Sequence, residues 1–156
     1  MTFVYKQILV AVDGSGEAEW AFEKSIEIAK RNNAALNLIH VIDVRSYTTM
    51  TKRTPDIDDE VFDQGKELLD RYKKKAEAAG VTEVNAIVAP GSPKTTISRE
   101  YAKRVKADLI VCGAHGLNAV EHFLMGSVSE HIVRSSPCDV LVVRKNEPEQ
   151  AENQIE

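Results

Sequence analysis

The sequence predicts an α/β fold: a five-stranded, mainly parallel, doubly wound sheet with helices on both faces. Three observations carry this. Five short β-branched runs read as buried strands, segments of helical period long enough for parallel crossovers lie between the first four, and turn-forming residues gather where those runs end.

The first strand is Ile8 to Val12, IleLeuValAlaVal, stopped by the charge of Asp13. A helix from Glu17 to Arg31 follows, its stripe of Ala18, Ala21, Phe22, Ser25, Ile28 and Ala29 suited to close approach to a sheet. Residues 36–42 form the second strand, and the polar stretch from Arg45 to Ile57 is a long connection of the kind that serves as a lid or moves freely. Its Lys52 and Arg53 read as solvated charges rather than phosphate ligands. The longest helix spans Asp58 to Ala79, with Val61, Leu68, Leu69, Tyr72, Ala76 and Ala79 at helical intervals, lysines 73–75 on a solvated face and Gly80 as its stop. The third strand is residues 85–89. Gly91-Ser92-Pro93 opens a third helix, Ser92 as N-cap and Pro93 in the first turn, which buries Ile97, Tyr101 and Val105. Residues 108–112 and 139–143 complete the sheet, with a helix from Val128 to Arg134 between them.

Composition narrows the function. The chain has 156 residues and a formal charge of −4, and the tail from residue 146 to 156 contributes Glu147, Glu149, Glu152 and Glu156 with no base. Residues 1–145 are therefore formally neutral and read as a single domain, and residues 146–156 as an acidic, disordered tail. No basic stripe or base-reading motif points to nucleic acid as a partner. No apolar run approaches the roughly 20 residues that cross a bilayer, and no signal-peptide layout opens the chain. Cys112 and Cys138 are isolated, without metal-ligand spacing, which favours a reducing, cytoplasmic setting.

Ligands of doubly wound sheets bind beyond the carboxyl ends of the strands, where strand order reverses. Asp13, Val41 to Asp43 and a glycine-rich segment all fall at that edge. The segment reads Gly113-Ala-His-Gly116, nine residues, then Gly126-Ser127-Val128-Ser129-Glu130. Glycines admit close backbone approach to an anion, and the helix opening at Gly126-Ser127 offers unpaired amides at its positive end. The competing reading is of turn glycines with Ser127 as N-cap and Glu130 completing a capping box. No GxxxxGK[ST] occurs, the third glycine of a GxGxxG beginning at Gly14 is replaced by Glu19, and the acid cluster of a response regulator is reduced to Asp13. Asp43 could stand in for a ribose-binding acid. Asp13 could equally close its own turn, and Val41 could be simple core. His115 is a candidate for a phosphate or a metal-bound water, against the alternative of a solvated or locally bonded turn residue. His40 reads as a satisfied core histidine, His122 and His131 as surface or packing residues.

The stretches ILVAVDGS, GSPKTTISREYAKRVKADLIVCGAHG and GSVSEHIVRSSPCDVLVVR resemble the universal stress protein family across residues 5–144, and Gly113-x2-Gly116-x9-Gly126-Ser127 is similar to the pattern of its ATP-binding branch. The resemblance implies the adenine nucleotide alpha hydrolase-like, Rossmann-like form of the fold. It also implies a bound ATP, AMP or ADP; because no lysine is positioned by motif to neutralise the phosphates, Mg²⁺ is expected with it, although the sequence holds no metal motif. Ala11 and Val12 would border the base, Asp13 would bond the ribose or an adenine edge, and Val41 would read the adenine through its main chain. Gly113, Gly116, Gly126, Ser127 and Val128 would line the ribose and phosphates, and His115, between the two glycines, is the further candidate named above. It implies a homodimer through the edge Val140, Leu141, Val142 and Val143, and a regulatory or stress-response role without efficient catalysis. The alternatives are a weak ATPase or autophosphorylating enzyme, and a nucleotide-free dimeric interaction module.

Overall fold

The computed structural model describes residues 3–43, 55–115 and 125–145. Its sheet comprises β1 (Gln7–Ala11), β2 (Ala35–Asp43), β3 (Val84–Gly91), β4 (Leu109–Gly113) and β5 (Asp139–Val143). Neighbours pair in parallel in the order β3-β2-β1-β4-β5. The chain builds outward from β1 through β2 to β3, then crosses to the other side for β4 and β5. The strand order therefore reverses between β1 and β4, which fixes the ligand crevice of such a sheet at their carboxyl ends.

Period-two alternation sorts the strand residues onto two faces. Ile8, Val10, Leu36, Leu38, Leu109 and Val111 pack under α1 (Gly16–Asn32) and α2 (Pro55–Ala78), against Phe22, Leu69 and Ala76. Leu9, Ile39, Ile110 and Cys112 face the other way, against Ile97, Ala102 and Ile132. Those last three come from α3, residues 93–104, and α4 (Ser127–Ser135).

Helix α1 follows the predicted stripe, with one change. Ile26 is buried and Ile28 only half-buried, because Ile26 sits four residues after Phe22 and three before Ala29. Ser15 caps its start by accepting from the Ala18 amide at 3.2 Å, and Asn33 ends it in the left-handed region at φ 53°. Helix α2 begins at Pro55, earlier than the predicted Asp58, and stops at Ala78. Ala79 is therefore exposed rather than part of the buried stripe, and Gly80 at φ +110° makes the turn. Lys75, in the lysine triplet, pairs with Glu23 at the surface.

Helix α3 departs from the regular helix the sequence predicts. After one α-helical turn, Pro93–Thr95, it widens into a π-helical segment, Thr96–Tyr101, in which the Ala102 amide reaches back to the Ile97 carbonyl, and it closes with Ala102–Arg104. The Ser98 hydroxyl donates to the Lys94 carbonyl at 2.6 Å. Ile97 is buried, while Tyr101 and Val105 are half-buried against the same core. The 45–54 connection, Gly116, His122 and the 146–156 tail lie outside the described residues. No helix among the described residues is long and apolar enough to cross a membrane.

Candidate functional site

A cavity of about 340 Å³ opens at the reversal point. Of the residues singled out from the sequence, Ala11, Val12, Asp13, Val41, Gly113, His115, Gly126, Ser127 and Val128 all line it. Gly116 lies outside the described residues.

The apolar lining of the cavity includes Ala11, Ile39, Val41, Pro93 and Ile97. Here the register leaves a main-chain edge uncovered. β1 pairs with β2 only as far as Ala11 opposite Ile39, and the Ile39 carbonyl takes the Val12 amide at 2.8 Å. Parallel strands direct the N–H and C=O of alternate residues to the same side. Val41, two residues beyond Ile39, therefore turns its amide and carbonyl past the end of β1 toward the cavity.

The polar lining includes Asp13, His115, Ser127 and Ser129. Asp13 accepts the Ser15 amide through Oδ1 at 2.8 Å, the turn-closing role its position suggested, and its second oxygen has no hydrogen bond among the described residues. Gly126 is the N-cap of α4, and Ser127 is the first helical residue, so the expected cap on Ser127 is corrected. The serine that fastens this corner is Ser129, which the sequence did not flag. Its buried hydroxyl lies 2.8 Å from the Ala114 carbonyl and 3.0 Å from that of Gly126. Ser127 is left exposed at the cavity.

The glycine segment contributes less amide to the cavity than its pattern promises. The Ala114 amide donates to Val143 O at 2.9 Å, the His115 amide to Glu17 Oε2 at 2.6 Å, and the Gly126 amide to Ala114 O at 2.7 Å. Within this segment the amides of Ser127, Val128 and Ser129, at the first turn of α4, have no partner among the described residues. Gly113 is small for a packing reason. A Cβ there would lie 2.9 Å from the Glu17 carbonyl carbon and 3.0 Å from the Ala18 amide, so it lets α1 approach the end of β4.

His115 is not a solvated turn residue. Its side chain is 6% exposed, and Nδ1 sits 3.1 Å from Glu17 Oε2. Glu17 therefore receives both the backbone and the ring of a residue 98 positions away, a pairing that no local pattern announces. His40 meets its expectation as a satisfied histidine, with Nδ1 2.8 Å from Val12 O. His131 is half-buried, and its Nε2 is enclosed without a partner among the described residues. Cys112 lies at the cavity floor, where burial pushes its thiol up to about 12 and keeps it protonated. Among the described residues no group of three or more potential metal ligands gathers.

Comparison with known proteins gives a consistent picture. The profile of the universal stress protein family matches residues 4–144. A protein of Staphylococcus saprophyticus described as a universal stress protein is 51% identical over 152 residues, covering 97% of this chain and 91% of its own. The structure of universal stress protein UspA from Lactobacillus plantarum is 31% identical with a TM-score of 0.77, over 92% of this chain and 100% of the other. A universal stress protein solved in complex with cAMP is 29% identical with a TM-score of 0.66, over 90% and 98%.

Proposed function

The chain belongs to the universal stress protein family, and from that premise we propose that it binds an adenine nucleotide in the crevice between β1 and β4 as a regulatory module. The observation that carries this is the polarity of the cavity. An apolar wall beside the uncovered main chain of Val41 suits a base, whose ring edge carries donors and acceptors. The amides of Ser127, Val128 and Ser129, unpartnered among the described residues and at the positive end of α4, suit phosphate oxygens. Asp13 follows β1 within the same lining, and in the Mg²⁺-free complex its second carboxylate oxygen would accept from a ribose hydroxyl. The solved relative that holds cAMP supports an adenine nucleotide as the ligand class.

ATP is the ligand we assign, with ADP and AMP as its lower-charge forms. Mg²⁺ fits the donor set modestly. Asp13 has one carboxylate oxygen without a hydrogen bond among the described residues, and Mg²⁺ commonly takes one or two carboxylates besides phosphate oxygens and water. When bound, the ion would supply positive charge to the phosphates. Asp13 would hold it, while the α4 amides orient the phosphates. The exposed hydroxyl of Ser127 at the phosphate end favours a second reading, slow phosphoryl transfer to that serine.

The assembly we propose is a homodimer through β5, whose Val140, Leu141 and Val142 are half-buried on the sheet's edge, with Val143 buried beneath. A cytoplasmic module of residues 1–145 followed by an acidic tail completes the reading. Calorimetric titration of ATP, ADP and AMP, with and without Mg²⁺, tests it. The wild type is expected to bind with one site per chain, and Gly126→Glu to lose binding by placing a carboxylate at the α4 N-cap. Equal affinity in the variant, or no binding by the wild type, would reject the site.

A further inference from the structure

We propose that Glu17 determines charge selectivity at this site, disfavouring ligands in proportion to their phosphate charge; the inference rests on the nucleotide reading above. Glu17 does not line the cavity. It stands immediately behind His115, with its carboxylate 2.6 Å from the His115 amide and 3.1 Å from Nδ1, and its side chain is 18% exposed. His115 in turn abuts the α4 N-terminus: a Cβ placed on Gly126, the N-cap, would lie 3.6 Å from the His115 Cα. A shielded negative charge thus sits one residue's depth from the amides assigned to the phosphates. Partly buried charges are screened by salt far less than exposed ones.

The rest of the lining does not offset it. Among the described residues the cavity wall contains Asp13 and neither lysine nor arginine. Glu17 also removes a donor that phosphates would otherwise use, because the His115 amide is committed to its carboxylate. Both effects grow with ligand charge and vanish for an uncharged nucleoside. The same residue fastens the N-terminus of α1 to the exit of β4, so it is a positioning residue whose charge has a second consequence.

The test titrates adenosine, AMP and ATP into wild type, Glu17→Gln and Glu17→Asp by calorimetry at about pH 8, without divalent cation. Glutamine keeps an acceptor for the His115 amide and deletes the charge. It is expected to leave adenosine affinity within about twofold, to tighten AMP by about threefold and ATP by about tenfold. Aspartate keeps the charge and is expected to retain the wild-type ATP-to-adenosine ratio even where its shorter reach lowers the melting temperature. An equal change for all three ligands in Glu17→Gln, or an unchanged ratio, would assign Glu17 a structural role alone and overturn the inference while leaving nucleotide binding intact. Failure of all three ligands to bind the wild type would overturn the nucleotide reading and this inference with it.

Discussion

Replacing Gly113 by alanine should destabilise the fold, although the position has an ordinary backbone conformation. The added Cβ would sit 2.9 Å from the Glu17 carbonyl carbon, 3.0 Å from the Ala18 amide and 3.0 Å from the Glu17 Cβ. Carbon contacts are comfortable at about 3.5–4.0 Å, so the overlap is about half an ångström or more, and two of the three neighbours are helix backbone. Relief requires the first turn of α1 to move off the end of β4. Overpacking of this kind costs about 1–3 kcal/mol. For a chain of this size each kilocalorie lowers the melting temperature by about 2–4 °C, which gives an expected fall of about 2–12 °C. Thermal unfolding followed by far-ultraviolet circular dichroism measures it, with urea titration as the second axis. Gly126→Ala is the internal comparison. Its Cβ would meet one backbone oxygen, Ala114 O, at 3.2 Å and otherwise lie in ordinary contact, so its loss should be smaller. A Gly113→Ala melting temperature within about 1 °C of wild type would refute the argument from close approach.

Further outcomes follow from neighbouring contacts. Ser129→Ala removes a buried hydroxyl shared by the Ala114 and Gly126 carbonyls, and chemical denaturation should register a loss of about 1–2 kcal/mol, with weaker ligand binding as the two loops part. Cys112 supplies a pH dependence. Its thiol keeps its proton up to about 12 in the folded chain, whereas an unfolded cysteine loses it near 9.0. The folded state therefore holds more protons between those values, and stability present below pH 9.0 declines as pH rises through that window, at no more than about 1.4 kcal/mol per unit. Cys112→Ala should show a shallower decline over the same range, and identical slopes would remove burial of the thiol as the cause.

The strands, the intervening helices and the edge on which the cavity lies were legible because they depend on local pattern, whereas the strand order β3-β2-β1-β4-β5 came from the structure. β-branched runs, intervening helical stripes and the placement of Asp13, Val41 and Gly126 at strand or helix ends each leave a mark within a few residues. What remained hidden was the choice among hydrogen-bond partners. Glu17 appears in sequence as an ordinary acid in the first turn of a helix, and His115 as a histidine between glycines; their pairing arises only when α1 is laid against β4. The sequence singled out Ser127 for fastening the helix start, and the geometry of the Ala114 carbonyl selected Ser129 instead. The π-helical widening of α3 was equally silent, since Ile97 and Tyr101 satisfy the ordinary helical period. The glycine pattern falls at the cavity lining, but the Ala114, His115 and Gly126 amides within it are used internally by the protein.

The central claim is that an adenine nucleotide lies across the crevice with its base against Val41 and its phosphates on the first turn of α4. Amide chemical shifts of the isotopically labelled full chain, recorded while AMP and then ATP with Mg²⁺ are added, test it most directly. The account predicts saturable shifts centred on Val41, Ser127, Val128 and Ser129. Larger shifts for ATP than for AMP should appear at the serines, with similar shifts for both at Val41. Saturable shifts confined to other surfaces, or unchanged α4 amides at saturating ligand, would contradict it.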